Sequence, residues 1–386
     1  MKEAFENKSF EQDKKETEIM KVPEIVVRPE RGAHLLSVIL KGRNPEWGNC
    51  NSELAQLANK HFGEHPLSLE ISNAIGELAQ EGIDEESLYN LSLTYQHPER
   101  MEHVFLMLEK YKGIDRETAR IAHGKLVEAL EGLDKDATFT DLDEKFEEEA
   151  EKDVEEKRGQ LEEAREKIKS LIDFFQPKRE TKEIETVNLM PTDALCHERS
   201  GSSFSFGREI VLRSSPEDST QGQAHEFLHG IINPVVDKLE KTLTEDQKWR
   251  IAELASGKIK QHYGEGKYYS HLCEGFIRTY LNIFEKGEKP KTYEDFQELI
   301  AQRIANEEQF REALAQDREL KQRCETLGIR DLKGLVEKSK DYFETYEKDK
   351  LGEIIYECLG DYKEKREDNP GLTFEDYILE KFAEKL

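Results

Sequence analysis

Between Glu185 and Arg213 the chain leaves helical periodicity for alternation, and a histidine-bearing helix pattern follows soon after. Glu185–Leu189, Ser203–Phe206 and the β-branched run Arg208–Arg213, bounded by Gly207 and Ser214-Ser215, read as short strands. Ser215-Pro216-Glu217-Asp218 then supplies a helix start, with Ser at the N-cap, Pro at the first helical position and an acid three residues on. The helix carries His225-Glu226-Phe227-Leu228-His229 and is expected to stop near Asn233-Pro234. A small sheet therefore directly precedes this helix. An exposed edge strand beside it is a platform on which an extended peptide can add by main-chain hydrogen bonds.

Elsewhere the spacing is helical. Hydrophobic and charged residues each make up 36% of the chain, a balance that favours amphipathic helices with solvated outer faces over a large buried sheet. The expected class is α+β, predominantly helical. Residues 1–21 read as a disordered tail, and 22–135 as an N-terminal helical region that opens with a short strand at Glu24–Val27. Residues 136–177 read as one long charged helix, with Leu142, Phe146, Ala150, Val154, Leu161, Ala164, Ile168, Leu171 and Phe175 near heptad spacing and a possible bend at Gly159. That stripe either lies against its own domain or mediates self-association. Residues 178–386 form the domain that holds the motif, and the amphipathic helices after about 287 are expected to close the second lobe of a cleft.

Two histidines four apart lie on one face of a helix, so both imidazoles can meet one ion. Glu226, beside that face, is placed to take a proton from a water. Phe227, Leu228, Gly230 and Ile231 are all uncharged, so the helix reads as buried. A catalytic zinc site needs a third protein ligand. A histidine six residues after His229, with glycine three residues after it, is excluded, because those positions hold Val235 and Ile232. Downstream, Tyr268–Tyr280 reads as a second apolar helix with one acid, Glu274, whose partner is either a metal or Arg278 one turn on. His271 and His262 are further candidates, each more readily read as a surface histidine. His61, His65, His97, His103 and His123 show no ligand spacing and read as ordinary helix or cap residues.

The His-Glu-Phe-Leu-His helix followed by Glu274-Gly275-Phe276 resembles the gluzincin metallopeptidases. That resemblance implies a zincin-like domain in which His225, His229 and Glu274 bind Zn²⁺ and Glu226 is the general base. Gluzincins often stabilise the oxyanion with Tyr or His; Tyr268, Tyr269, His262, Arg278, Tyr342 and Tyr346 are open candidates here. The front of the chain, with Arg28-Pro29-Glu30-Arg31, Leu35–Leu40, Asn44-Pro45-Glu46-Trp47, His61-Phe62 and His65-Pro66, resembles the opening of an uncharacterised bacterial family that also carries H-E-x-x-H.

The expected function is a zinc-dependent hydrolase, a peptidase acting on peptide or protein substrates. The alternatives are a catalytically silent metal-binding or scaffolding protein of the same fold, and a helical interaction protein in which the motif is fortuitous. A net charge of −26 opposes nucleic acid and anionic membrane. No apolar run reaches membrane-spanning length and the polar start lacks a signal-peptide core, so a cytoplasmic protein is expected. Five cysteines without a C-x-x-C suggest reduced thiols, neither a disulfide framework nor a Cys-ligated zinc site.

Overall fold

A computed structural model describes residues 18–386 apart from 49–52, 191–201, 214–219, 256–259, 261–263, 265–266 and 305. Among the described residues the chain is mostly helical around one four-stranded mixed sheet. Its order is β1 (Glu24–Val26), β2 (Thr186–Met190), β4 (Glu209–Arg213) and β3 (Ser202–Phe206), with β1–β2 and β2–β4 parallel and β3–β4 antiparallel. The three strands expected before the motif helix form as spaced, and a fourth arrives from the front of the chain: Glu24 pairs with Thr186. Gly207 opens the two-residue turn between β3 and β4 with φ +60°, a conformation that side chains on Cβ resist.

Side-chain alternation divides the interior into two cores. Val187, Leu189, Ile210 and Leu212 join the core that holds the motif helix, whereas Met190, Phe204, Phe206 and Val211 join the core of the N-terminal helices. Those helices are α1 (Arg31–Arg43), α2 (Glu53–Glu64), α3 (Leu69–Gln80), α4 (Glu85–Ser92), α5 (Met101–Met107) and α6 (Arg116–Asp134). Ser68, Asp84 and Asp115 accept backbone N–H bonds at the starts of α3, α4 and α6. The N-terminal helices are pinned to the sheet by Arg100, 1% exposed, which bonds Glu30 at the start of α1 and Glu209 on β4.

Several expectations are corrected. Residues 1–17 lie outside the described ones, but the end of the expected tail is ordered, since Ile19 bridges Lys178 and Met20 is 3% exposed. The single long helix is two, α7 (Thr140–Gly159) and α8 (Leu161–Phe175). The two ends of its stripe are covered within the chain. Leu142 and Phe146 pack into the N-terminal core, and Ala164, Ile168, Leu171 and Phe175 pack into the core of the motif helix. The proposed cap at Ser215-Pro216 falls outside the described residues. The motif helix, α9 (Thr220–Glu240), runs on through Pro234 instead of stopping there. Val235, Val236 and Leu239 are buried beyond it, and Lys238 is bonded to Glu375 at 2.9 Å, so tertiary packing outweighs the lost backbone bond.

After α10 (Glu245–Leu254) comes the helix carrying Glu274, α11 (Tyr268–Thr279). Helices Lys350–Asp368 and Phe374–Lys385 pack behind α9 and α11; an added Cβ on Gly275 would meet Ile355 at 2.8 Å. Phe296, Phe310, Cys324, Ile329, Leu335, Tyr342 and Phe343 make a separate small core. No helix among the described residues is long and apolar enough to cross a membrane.

Candidate metal centre

α9 lies against the face of the sheet opposite the N-terminal core. Gly230 sets the approach, because a Cβ there would stand 2.5 Å from Ile210 and 3.4 Å from Ile184. This packing carries His225, Glu226 and His229, all half-buried, past the outer strand β3. The Ser-Phe-Ser-Phe alternation in β3 sends Phe204 and Phe206 into the N-terminal core and leaves Ser203 facing α9, where its hydroxyl meets Glu226.

The imidazoles of His225 and His229 have ring centroids 5.1 Å apart. Glu274, buried on α11, reaches between them, with Oε2 at 3.7 Å from His225 Nε2 and Oε1 at 3.3 Å from His229 Nε2. A charge-assisted N–H···O bond closes to about 2.7–2.9 Å, so these gaps are too long for well-formed imidazolium–carboxylate bonds. Two ligands on one tetrahedral zinc, at metal–ligand distances of about 2.0–2.2 Å, stand about 3.3–3.5 Å apart. The 3.3 Å gap to His229 falls in that range, and the 3.7 Å gap to His225 lies just beyond it.

The surrounding contacts fit such a donor set. His229 directs Nδ1 to Asn233 Oδ1 at 3.3 Å, which leaves Nε2 for the ion. Arg278 Nε donates to Glu274 Oε2 at 2.7 Å and fixes the carboxylate, so the alternative partner read from sequence is also present. Gln223, one turn before Glu226, is 3% exposed, and among the described residues neither polar atom of its amide has a partner.

Glu226 also lies within ligand reach of both histidines, so the geometry offers two carboxylates. Their environments separate them. Burial works against ionisation of Glu274, but His225, His229 and Arg278 outweigh it and hold the carboxyl far below the usual range, as a permanent anion. Burial lifts the Glu226 carboxyl above its usual value, with His229, His225 and Ser203 pulling it only partly back. Glu274 suits the role of ligand and Glu226 that of a proton acceptor. His229 is lowered by burial, yet Glu274, Glu226 and Asn233 raise it overall.

Other residues read from sequence lie elsewhere. Tyr268 donates to Glu240, and Tyr269 donates to Asp237 at 3.0 Å, both toward the far end of α9. Tyr342 stacks on Phe296 in the small core. His262 and the side chain of Tyr346 lie outside the described residues. His271 is fully buried rather than at the surface, bonded through Nε2 to the Gly264 carbonyl at 3.0 Å.

A cavity of about 290 Å³ runs from His229 along β3. One wall is α9 from His229 to Asp237; the opposite wall is α4 and α5, with Asn90, His103, Val104 and Met107. This wall comes from the N-terminal helices and not from the C-terminal ones expected to close the cleft. His103 and Lys182, on this cavity, were not legible as site residues from any local pattern. Compared with family models, curated proteins and solved structures, the chain shows no match, so the site stands on its own residues.

Proposed function

We propose that the chain is a zinc-dependent peptidase with a zincin-like arrangement, in which His225, His229 and Glu274 hold Zn²⁺ and Glu226 is the general base. The observation that carries this reading is the convergence of the Glu274 carboxylate on both imidazoles, 3.3 Å from His229 and 3.7 Å from His225, close to the spacing of ligands on one tetrahedral ion. Zn²⁺ bound there supplies Lewis acidity, polarising a carbonyl and acidifying water.

The chain's own residues supply the rest. Glu226 takes a proton from the attacking water on its carboxylate and returns it to the leaving amine, and its raised affinity for that proton serves both halves of the exchange. Ser203 orients the carboxylate from the β3 side. Arg278 keeps Glu274 ionised and in place. The cavity along β3 gives an extended substrate a strand to pair with, so that its carbonyl reaches the histidines while its chain lies between α9 and α5.

A peptide-library digest read by mass spectrometry tests this. Zinc-loaded wild type is expected to cleave, and both chelated protein and Glu226→Gln to lose about 10²–10⁴-fold in rate. Equal cleavage by Glu226→Gln removes Glu226 as the base. A loaded wild type that cleaves nothing leaves a metal-binding protein without peptidase activity.

A further inference from the structure

Lys182 lies in the connection between α8 and β2, half-buried, and lines the cavity that begins at His229. Its ammonium donates to the Gly207 carbonyl at 2.9 Å, at the turn that ends β3. It meets no carboxylate among the described residues, although the chain carries 83 acidic residues against 57 basic ones. Other half-buried lysines nearby are matched: Lys178 lies 2.5 Å from Asp376 and Lys238 lies 2.9 Å from Glu375. The acids on the cavity wall are already paired. Asp237 holds Lys110 at 3.0 Å, and Glu86 holds Lys112 at 2.6 Å.

We propose that Lys182 binds a carboxylate of an extended peptide lying along β3, so that this protein cleaves at a fixed distance from an acidic group. A half-buried ammonium with one carbonyl partner is costly to desolvate, and an incoming carboxylate offsets that cost. Burial already pulls the ammonium's proton affinity down, as expected where no anion faces it. The distance follows from the strand. Ser203 stands beside Glu226 and Gly207 lies four residues along, about 14 Å of extended chain. A peptide paired with β3 advances at the same rise, which puts the carboxylate about four residues from the scissile bond. The chain's net charge of −26 disfavours acidic peptides at long range, but beyond about 8 Å that repulsion is screened at physiological salt.

The carboxylate is either the substrate's C-terminus or an Asp or Glu side chain. The proposal rests on the peptidase reading for the position of the scissile bond only. The probes are fluorescent peptides of one neutral background, ending in a free acid, in an amide, or in an amide with a single internal Glu. Binding is measured by anisotropy on the zinc-loaded Glu226→Gln protein with and without Lys182→Met, and cleavage is mapped on zinc-loaded wild type. Acid-bearing peptides are expected to bind about ten- to a hundredfold more tightly than the neutral amide, with the preference lost in Lys182→Met. Cleavage is expected about four residues from the acid. The free-acid and internal-Glu series identify the source of the carboxylate. Lys182→Met is expected to melt at or above the wild-type temperature, which separates lost recognition from lost folding. Neutral and acidic peptides binding alike, or a preference that survives in Lys182→Met, overturns the proposal. Acid-dependent binding through Lys182 without cleavage upholds it and removes the peptidase reading; cleavage without acid preference does the reverse.

Discussion

Two clusters of charge lie on opposite faces of the same sheet, and they are finished differently. Around Arg100 every guanidinium donor is used: Nε and one terminal nitrogen meet Glu209 at 3.0 and 3.1 Å, Glu30 is held at 2.8 and 3.1 Å, and the Leu93 carbonyl accepts at 2.9 Å. Asn188 adds a bond to Glu30 at 2.7 Å. Around His225 and His229 the contacts among the described residues are longer. Two carboxylates face one guanidinium, and the imidazole nitrogens stand 3.3 and 3.7 Å from Glu274. A closed network holds a fold together, whereas convergent acceptors at ligand spacing suit a cation.

The difference is sharpest under substitution. Arg100→Met leaves Glu30 buried without its cation and is expected to cost about 3–5 kcal/mol in urea unfolding, while the folded protein keeps its zinc stoichiometry. Unchanged stability in this variant means that the network is not structural. Glu274→Gln is expected to act on the metal as well, weakening zinc binding on the order of a hundredfold in a chelator competition, and to lower metal-free stability because Arg278 and the imidazoles lose the anion they face. Gly230 sets the distance between α9 and the sheet on the histidine side. Gly230→Ala forces a methyl group against Ile210 and is expected to cost about 1–3 kcal/mol, with a smaller loss of zinc affinity as α9 shifts.

The mildest test is pH. His229 has a raised proton affinity when folded, so in metal-free protein its contribution to stability is complete below about pH 6.5 and is lost as pH rises through the raised folded value. Zinc needs the neutral imidazole, so metal affinity should fall as pH drops through the same region. Metal-free stability is therefore expected to decline, and zinc affinity to rise, as pH increases above about 6.5. Parallel trends in a paired denaturation and zinc titration series contradict the assignment of His229 as a ligand.

How much of this was legible depends on how locally it is encoded. The strands, α9 and the single acid of α11 each announce themselves within a dozen residues, through alternation, through the four-residue step between histidines and through a carboxylate in an apolar run. Partnership across long intervals does not. Nothing near Glu24 specifies Thr186, and nothing in Glu30, Arg100 and Glu209 shows that they meet. Pro234 reads as a stop because the local rule for proline holds, and burial of Val235, Val236 and Leu239 overrides it. Lys182 was invisible for the same reason, since a lone lysine in a loop gains meaning only when folding sets it in the cavity beside Gly207.

The reading of the histidine cluster turns on one quantity, the zinc bound per chain. Elemental analysis of protein purified without added metal, followed by removal and titration of Zn²⁺, is expected to give one tightly bound equivalent that His229→Ala loses. Well below one equivalent in wild type, with no stoichiometric rebinding, contradicts the metal centre and leaves His225, His229 and Glu274 as a buried polar cluster of the fold.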